Sequence, residues 1–296
     1  MLKPKDLLDL VMLGAVWGAS FLFMRIAAPQ VGPIGITMMR VGIAAVFLVP
    51  LLALRQGIRI PQYPARLLVL GVFNTALPFT LFAVSSLYVP AGYSAILNAT
   101  APLWGTLVAW VWFDEGITVQ RTIGLVLGFA GVLVLVLGKG SIPIAAVWPA
   151  LVACALATLC YGIFSNYAKR YVSHVDTLTA AAGSQLCAAV ALAPVAAFTW
   201  RGGWPSMQVW SVALALGVLC TAFAYILYFR LIRNVGAART MFVTYLIPVF
   251  GMIWGAIFLH ERITPAMLLG AAVILFGVGL AAGAIRFPRA RIAPSV

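Results

Sequence analysis

Apolar runs of about twenty residues recur along almost the whole chain, separated by short stretches that hold most of its charge. Crossing roughly 30 Å of hydrocarbon takes about 20 helical residues. Runs of that length lie near 7–28, 33–54, 66–88, 90–112, 119–137, 147–169, 175–199, 207–230, 236–259 and 265–284. The pattern predicts an all-α, polytopic membrane protein with ten transmembrane helices. The first run follows Lys3 and Lys5 but is too long for the apolar core of a secretory leader, and further runs follow it directly. It is therefore expected to be retained.

Composition agrees with that pattern. Hydrophobic residues make up 64% of the 296 positions and charged ones 8%, with a mean hydropathy of +1.09, far from a soluble domain. Cys154, Cys160, Cys187 and Cys220 all fall inside apolar runs, without a C-x-x-C or a nearby histidine. They read as small buried hydrophobes rather than metal ligands, and no cofactor is expected.

The cations are distributed unevenly. With the N-terminus inside, the cytoplasmic stretches hold Lys3, Lys5, Arg55, Arg59, Arg66, Arg121, Lys169, Arg170, Arg230, Arg233, Arg239, Arg286, Arg289 and Arg291. The opposite face holds Lys139, Arg201 and Arg262. Lysine and arginine accumulate in cytoplasmic loops, so both termini are expected in the cytoplasm and the protein in the inner (plasma) membrane. The formal charge of +13 follows from this bias and from attraction to anionic lipid. A nucleic-acid partner is not needed to explain it.

One stretch is written twice. VPAGYSAILNATAPLWGTLVAWVWFDEGIT, Val89 to Thr118, returns without gaps as VGAARTMFVTYLIPVFGMIWGAIFLHERIT, Val235 to Thr264. The copies share Val89 with Val235, Ala91 with Ala237, Pro102 with Pro248, Gly105 with Gly251 and Glu115 with Glu261. The register continues through Gly124 with Gly270 and Gly131 with Gly277, and more weakly upstream through Gly18 with Gly162 and Pro50 with Pro194. Such an offset leaves five spans per half, and an odd number of crossings inverts the second half relative to the first. Inverted repeats place a substrate site at their interface.

The doubled blocks, VPA…P…DEGIT…G…G and VGA…P…HERIT…G…G, resemble the signature of EamA domains. Two in tandem resemble a ten-helix exporter of the drug/metabolite transporter superfamily, most similar to its YddG-type aromatic amino-acid exporters. The first copy departs from the pattern, with Asp-Glu-Gly where Gly-Glu-Arg is usual. The resemblance implies a first five-helix repeat over 1–140 and a second over 141–296.

Polar or aromatic residues at helical spacing, matched between halves, mark the faces expected to meet substrate. Ser94, Asn98 and Pro102 pair with Thr240, Thr244 and Pro248; Thr75, Phe79 and Phe82 with Thr221, Tyr225 and Tyr228; Trp17 and Ser20 with Tyr161 and Phe164. Trp104 is added for its closeness to Pro102. Each proline leaves the carbonyl four residues earlier unbonded, so Pro102 and Pro248 are expected to kink their helices beside Asn98 and Thr244. Gly14 with Gly18, Gly124 with Gly128, Gly251 with Gly255 and Gly279 with Gly283 have the spacing of close helix packing.

The acids Asp6, Asp9, Asp114, Glu115, Asp176 and Glu261 all fall at run ends or in loops, although proton-coupled pumps and cation exporters commonly need one at membrane depth. Arg25 and Arg40 lie inside runs, where the preferred reading is snorkelling toward the outer surface rather than a carboxylate contact. No nucleophile–base pair or metal cluster points to an enzyme. The expectation is a monomeric carrier in the lipid bilayer. It exports small amphipathic metabolites, neutral and aromatic amino acids foremost, by alternating access down their gradient. The alternative is a coupled antiporter of drugs or nucleotide-like metabolites.

Overall fold

Among the residues that the computed structural model describes, 3–56, 63–113, 116–138, 143–200 and 203–285, every regular element is helical. The runs are α1 (Pro4–Gln56), α2 (Pro64–Ser85), α3 (Ala91–Trp112), α4 (Val119–Leu137), α5 (Ile144–Tyr171), α6 (Thr177–Thr199), α7 (Met207–Val235), α8 (Val243–Leu259) and α9 (Pro265–Ala281). By length and composition, the first seven can cross a bilayer, and α8 and α9 are shorter apolar helices. The chain is a multi-pass membrane protein. Asp114, Glu115, Lys139, Arg201, Arg59, Arg286, Arg289 and Arg291, on which part of the charge reading rests, lie outside the described residues.

The 53 residues of α1 are two helices joined at Gly32, whose φ of 74° and ψ of 160° are not helical. That conformation is open essentially to glycine alone. Pro33 follows and disfavours helical geometry at the residue before it. The sequence places a boundary between its first two expected spans at this point.

Two further irregularities occupy equivalent places. Gly71–Ala76 within α2 and Ala215–Phe223 within α7 are π-helical, and Thr221 closes its wide turn by donating to the Leu216 carbonyl at 2.8 Å. In α3 the helix is interrupted at Ala99–Thr100, just ahead of Pro102. In the second half, helix α8 continues through Pro248 and the interruption falls earlier, at Met241–Phe242. There Gly236, at φ 83°, ends α7, and the chain re-enters through the turn Ala237–Thr240, so the break is already made before the proline.

Much of the doubled motif is scaffold. Thr118 caps α4 by accepting from the Arg121 amide, and Thr264 caps α9 by accepting from the Met267 amide. Glu261 accepts from the Ala91 amide at 2.9 Å, placing a carboxylate on the N-terminus of α3, where the helix dipole favours negative charge. Its counterpart Glu115 lies outside the described residues.

Helices α4 and α9 pack through glycines. A Cβ on Gly124 would lie 2.6 Å from the Gly277 carbonyl oxygen, and one on Gly131 would lie 3.1 Å from the Gly270 oxygen. Applying the repeat offset turns either contact into the other. The same exchange relates two more crossings: a Cβ on Gly18 would meet Gly251 N at 2.9 Å, and one on Gly162 would meet Gly105 N at 2.8 Å. A Cβ on Gly131 would also lie 2.7 Å from Ile274 N, and at all four positions a distance under 3.0 Å is closer than a real Cβ tolerates, so the helix axes approach only because these positions have no side chain. Replacing Gly277 by Leu should lower the thermal midpoint of the detergent-purified protein by the equivalent of about 1–3 kcal/mol. Gly203→Leu, where nothing lies within 4 Å, should leave the midpoint unchanged in the same scan.

Candidate functional site

A cavity of about 370 Å³ lies among α1, α2, α3, α5, α7 and α8, the six helices whose polar and aromatic stripes match between halves. From α1 come Trp17, Ser20, Phe21, Met24 and Arg40; from α2, Asn74, Phe79 and Phe82; from α3, Asn98, Ala101, Pro102 and Gly105. Helix α5 gives Tyr161 and Ser165, α7 gives Cys220, Thr221, Tyr225 and Tyr228, and Met241, Val243, Thr244 and Ile247 complete the wall.

The rings touch each other around the space. Trp17 and Tyr228 have centroids 5.5 Å apart, Phe21 meets Phe82 edge-on at 5.4 Å, and Phe82 faces Tyr161 at 6.1 Å. These contacts hold the wall stiff, each worth about 0.5–1.5 kcal/mol beyond burial. Neutral polar groups punctuate it. Thr244 donates back to the Met241 carbonyl at 2.8 Å, an i−3 bond that closes the turn beside the break in the chain.

Of the expected site residues, Trp17, Ser20, Phe79, Phe82, Asn98, Tyr161, Thr221, Tyr225, Tyr228 and Thr244, with Pro102, face the cavity. The others are placed elsewhere. Ser94 is fully buried against Ser85, 2.8 Å between hydroxyl oxygens, one turn along a stripe that has already rotated from the cavity. Thr240 is buried and donates to the Gly236 carbonyl at 2.9 Å. Phe164 stacks on Phe73 at 5.0 Å and 9°, and Trp104 packs edge-on against Phe129 at 5.2 Å. Thr75 is buried outside the wall while its neighbour Asn74 lines it, because the π-helical turn puts more residues into each revolution than a 3.6-residue stripe assumes. Pro248 lies inside α8 and away from the lining.

Several wall residues escaped the sequence reading. Phe21 and Met24 continue the stripe that begins at Trp17, and Ser165 lies one turn after Tyr161, so helical spacing carried a signal for all three. Arg40 is the larger departure, because it does not snorkel. It is 4% exposed, its Nε donates to Thr221 Oγ1 at 2.9 Å, and its guanidinium lies 3.7 Å from the Phe79 ring centroid. Arg25 does sit toward a helix end, donating to the Ser86 carbonyl with Glu261 at 4.0 Å.

Among the described residues, the acids stay off the wall. Asp9 pairs with Arg230, Asp6 accepts from Asn234 at 2.9 Å, and Glu261 sits on the α3 N-terminus. Nor do the described residues hold a cluster of His, Cys, Asp or Glu able to bind a metal ion.

A multi-pass helical protein that keeps an aromatic, partly polar cavity between helices from both parts of its sequence is built as a carrier of small molecules. The chain belongs to the EamA-like transporter family, whose sequence profile matches residues 7–137 and 148–283. It is a membrane transporter of that family, within the drug/metabolite transporter superfamily. It is 29% identical to the uncharacterized transporter YvbV of Bacillus subtilis, over 94% of this chain and 92% of that one. It is 26% identical to the uncharacterized transporter YoaV of the same organism, over 93% and 95%. A protein of Streptantibioticus cattleyicolor named "probable terminal-alkyne amino-acid exporter" is 24% identical over 95% and 94%. A solved crystal structure shares the fold, with a TM-score of 0.65 at 19% identity over 95% of this chain and 97% of that one.

Thr244 and Thr240 lie one turn apart, one on the wall and the other packed away. With the four native cysteines replaced by serine, Thr244→Cys should be modified by a small water-soluble thiosulfonate and Thr240→Cys should remain unmodified, read by mass shift of the folded protein.

Proposed function

We propose that the protein exports small amphipathic metabolites, neutral and aromatic amino acids foremost, by alternating access as a carrier driven by the substrate gradient. The observation that carries this reading is the wall itself. Rings from α1, α2, α5 and α7 offer stacking surface, while Asn98, Ser20, Thr221 and Thr244 supply neutral hydrogen-bonding groups. A cationic drug finds no carboxylate among the described lining residues, and a sugar phosphate dianion would call for more than the single guanidinium. The relative named "probable terminal-alkyne amino-acid exporter" supports the same substrate class, as does the resemblance to YddG-type aromatic amino-acid exporters.

On this reading each helix of α1 crosses the membrane separately, since both exceed the roughly 20 residues a crossing takes. Ten crossings then form two inverted five-helix repeats, 1–140 and 141–296, working as a monomer in the inner membrane with both termini cytoplasmic. The glycine contacts that exchange under the repeat offset support such a two-fold relation.

Counterflow in proteoliposomes tests the substrate. With phenylalanine, threonine, glutamate and lysine as competitors, phenylalanine should compete most strongly; competition by glutamate or lysine with none by phenylalanine would overturn the assignment. Orientation is tested by labelling single cysteines from outside intact cells, where position 139 should react and position 291 should not.

A further inference from the structure

Arg40 is held in the wall by contacts that leave its charge unopposed. Its Nε donates to Thr221 Oγ1, and Nη2 reaches the Cys220 carbonyl at 3.5 Å. The Thr221 hydroxyl spends its own hydrogen on the Leu216 carbonyl, in the π-helical turn, so it can only accept from Arg40. The guanidinium carbon lies over the Phe79 ring. None of the ion pairs among the described residues involves Arg40. A buried ion without a counter-charge costs several kcal/mol even after relaxation, and a charge at membrane depth is a functional-site candidate.

A guanidinium carries five N–H donors in a fork matched to a carboxylate, and among the described residues the protein's own acceptors engage only two of them. A second donor lies in the same wall. Ser20 is 5% exposed, and its hydroxyl, beside the weakly accepting Cys220 thiol, makes no full hydrogen bond to the protein among the described residues. Both groups belong to the cavity lining, in which no carboxylate appears among the described residues. The cation is also present in only one half, because the repeat register puts Ser184 opposite Arg40, and Ser184 donates to its own helix at the Ala181 carbonyl. Among the described lining residues, the cavity therefore has a single positive locus beside aromatic surface.

We propose that Arg40, with Ser20 as a second donor, binds the carboxylate of the transported molecule, and that the substrates are amphipathic monocarboxylates bearing an aromatic or large apolar group. This rests on reading the cavity as the substrate site, and amino acids become one member of a class defined by the carboxylate and not by the amino group. Phe79 covers one side of the guanidinium, so the carboxylate would meet the donors left free by Thr221 and Cys220 with its apolar end toward the rings.

The test compares ligands that differ at the carboxylate alone. Calorimetric titration of the detergent-purified protein should show 3-phenylpropanoate binding at least about tenfold tighter than 3-phenylpropan-1-ol, the loss expected when a charge-assisted hydrogen bond is removed. Arg40→Gln should abolish that preference, weakening the carboxylate about tenfold or more while the alcohol is unaffected. Arg40→Lys, which keeps the charge without the fork, should retain part of it. Equal binding of the two ligands by the wild-type protein, binding of neither, or a preference that survives in Arg40→Gln would each overturn the proposal. If Arg40→Gln does not fold, the wild-type comparison and Arg40→Lys decide. Should phenylalanine fail in counterflow while Arg40-dependent binding of 3-phenylpropanoate persists, only the amino-acid assignment falls. Should phenylalanine be transported and the carboxylate preference ignore Arg40, only this inference falls.

Discussion

Backbone-to-backbone contact where helices cross is the constraint on which the rest depends. Lipid tails are as apolar as leucine, so burying apolar side chains gives little drive for helices to associate within a bilayer, and packing must supply it. Here the approach is made by glycines from two separated stretches of sequence, Gly124 and Gly131 meeting Gly277 and Gly270, Gly18 meeting Gly251, and Gly162 meeting Gly105. Fixing the axes at these points sets how far apart the remaining faces stand. The cavity is the space left between helices whose separation is decided elsewhere.

That space is shaped by departures from regular helix. The π-helical turns in α2 and α7 bring Asn74 and Cys220, equivalent under the repeat, onto the wall beside Thr221. The interruption at Ala99–Thr100 lets Asn98, Ala101 and Pro102 all face inward. Non-helical backbone at membrane depth is tolerated where it faces protein or a cavity. The two halves do not deviate identically, since the second breaks at Met241–Phe242 and contributes Met241 to the wall. Helices from both halves of the sequence thus enclose an asymmetric interior, with tyrosines on α7 where α2 has phenylalanines and, among the described lining residues, one cation.

The helical frame was legible because span length and hydropathy are one-dimensional properties. The sites of the expected runs and the observed helices agree closely, down to the boundary at Gly32. The repeat was legible too, though what it encodes proved to be largely caps and crossings: Thr118, Thr264, Glu261 and the paired glycines. The wall was read in part. Helical periodicity finds a stripe but not the neighbour it faces, so Ser94 and Phe164 were placed with Asn98 and Tyr161 although they meet Ser85 and Phe73. Thr75 was displaced by a wide turn that no residue type announces. Arg40 was missed because a long flexible cation near a helix end has an easy route to water; what holds it inward, Thr221 and the Phe79 ring, comes from other helices and has no local signature.

Gly105 stands at the junction of frame and interior, lining the cavity while its amide abuts Gly162. The two partners of that crossing are unequal. A methyl on Gly162 would strike the backbone of Trp104 and Gly105 at 2.7–2.8 Å, whereas one on Gly105 would find only the Gly162 Cα, at 4.0 Å. A lineage could therefore enlarge residue 105 stepwise, narrowing the chamber and sieving its cargo by size, without disturbing the joint that keeps the helices together. Selectivity in such a protein can drift through one permissive position while the architecture stays frozen.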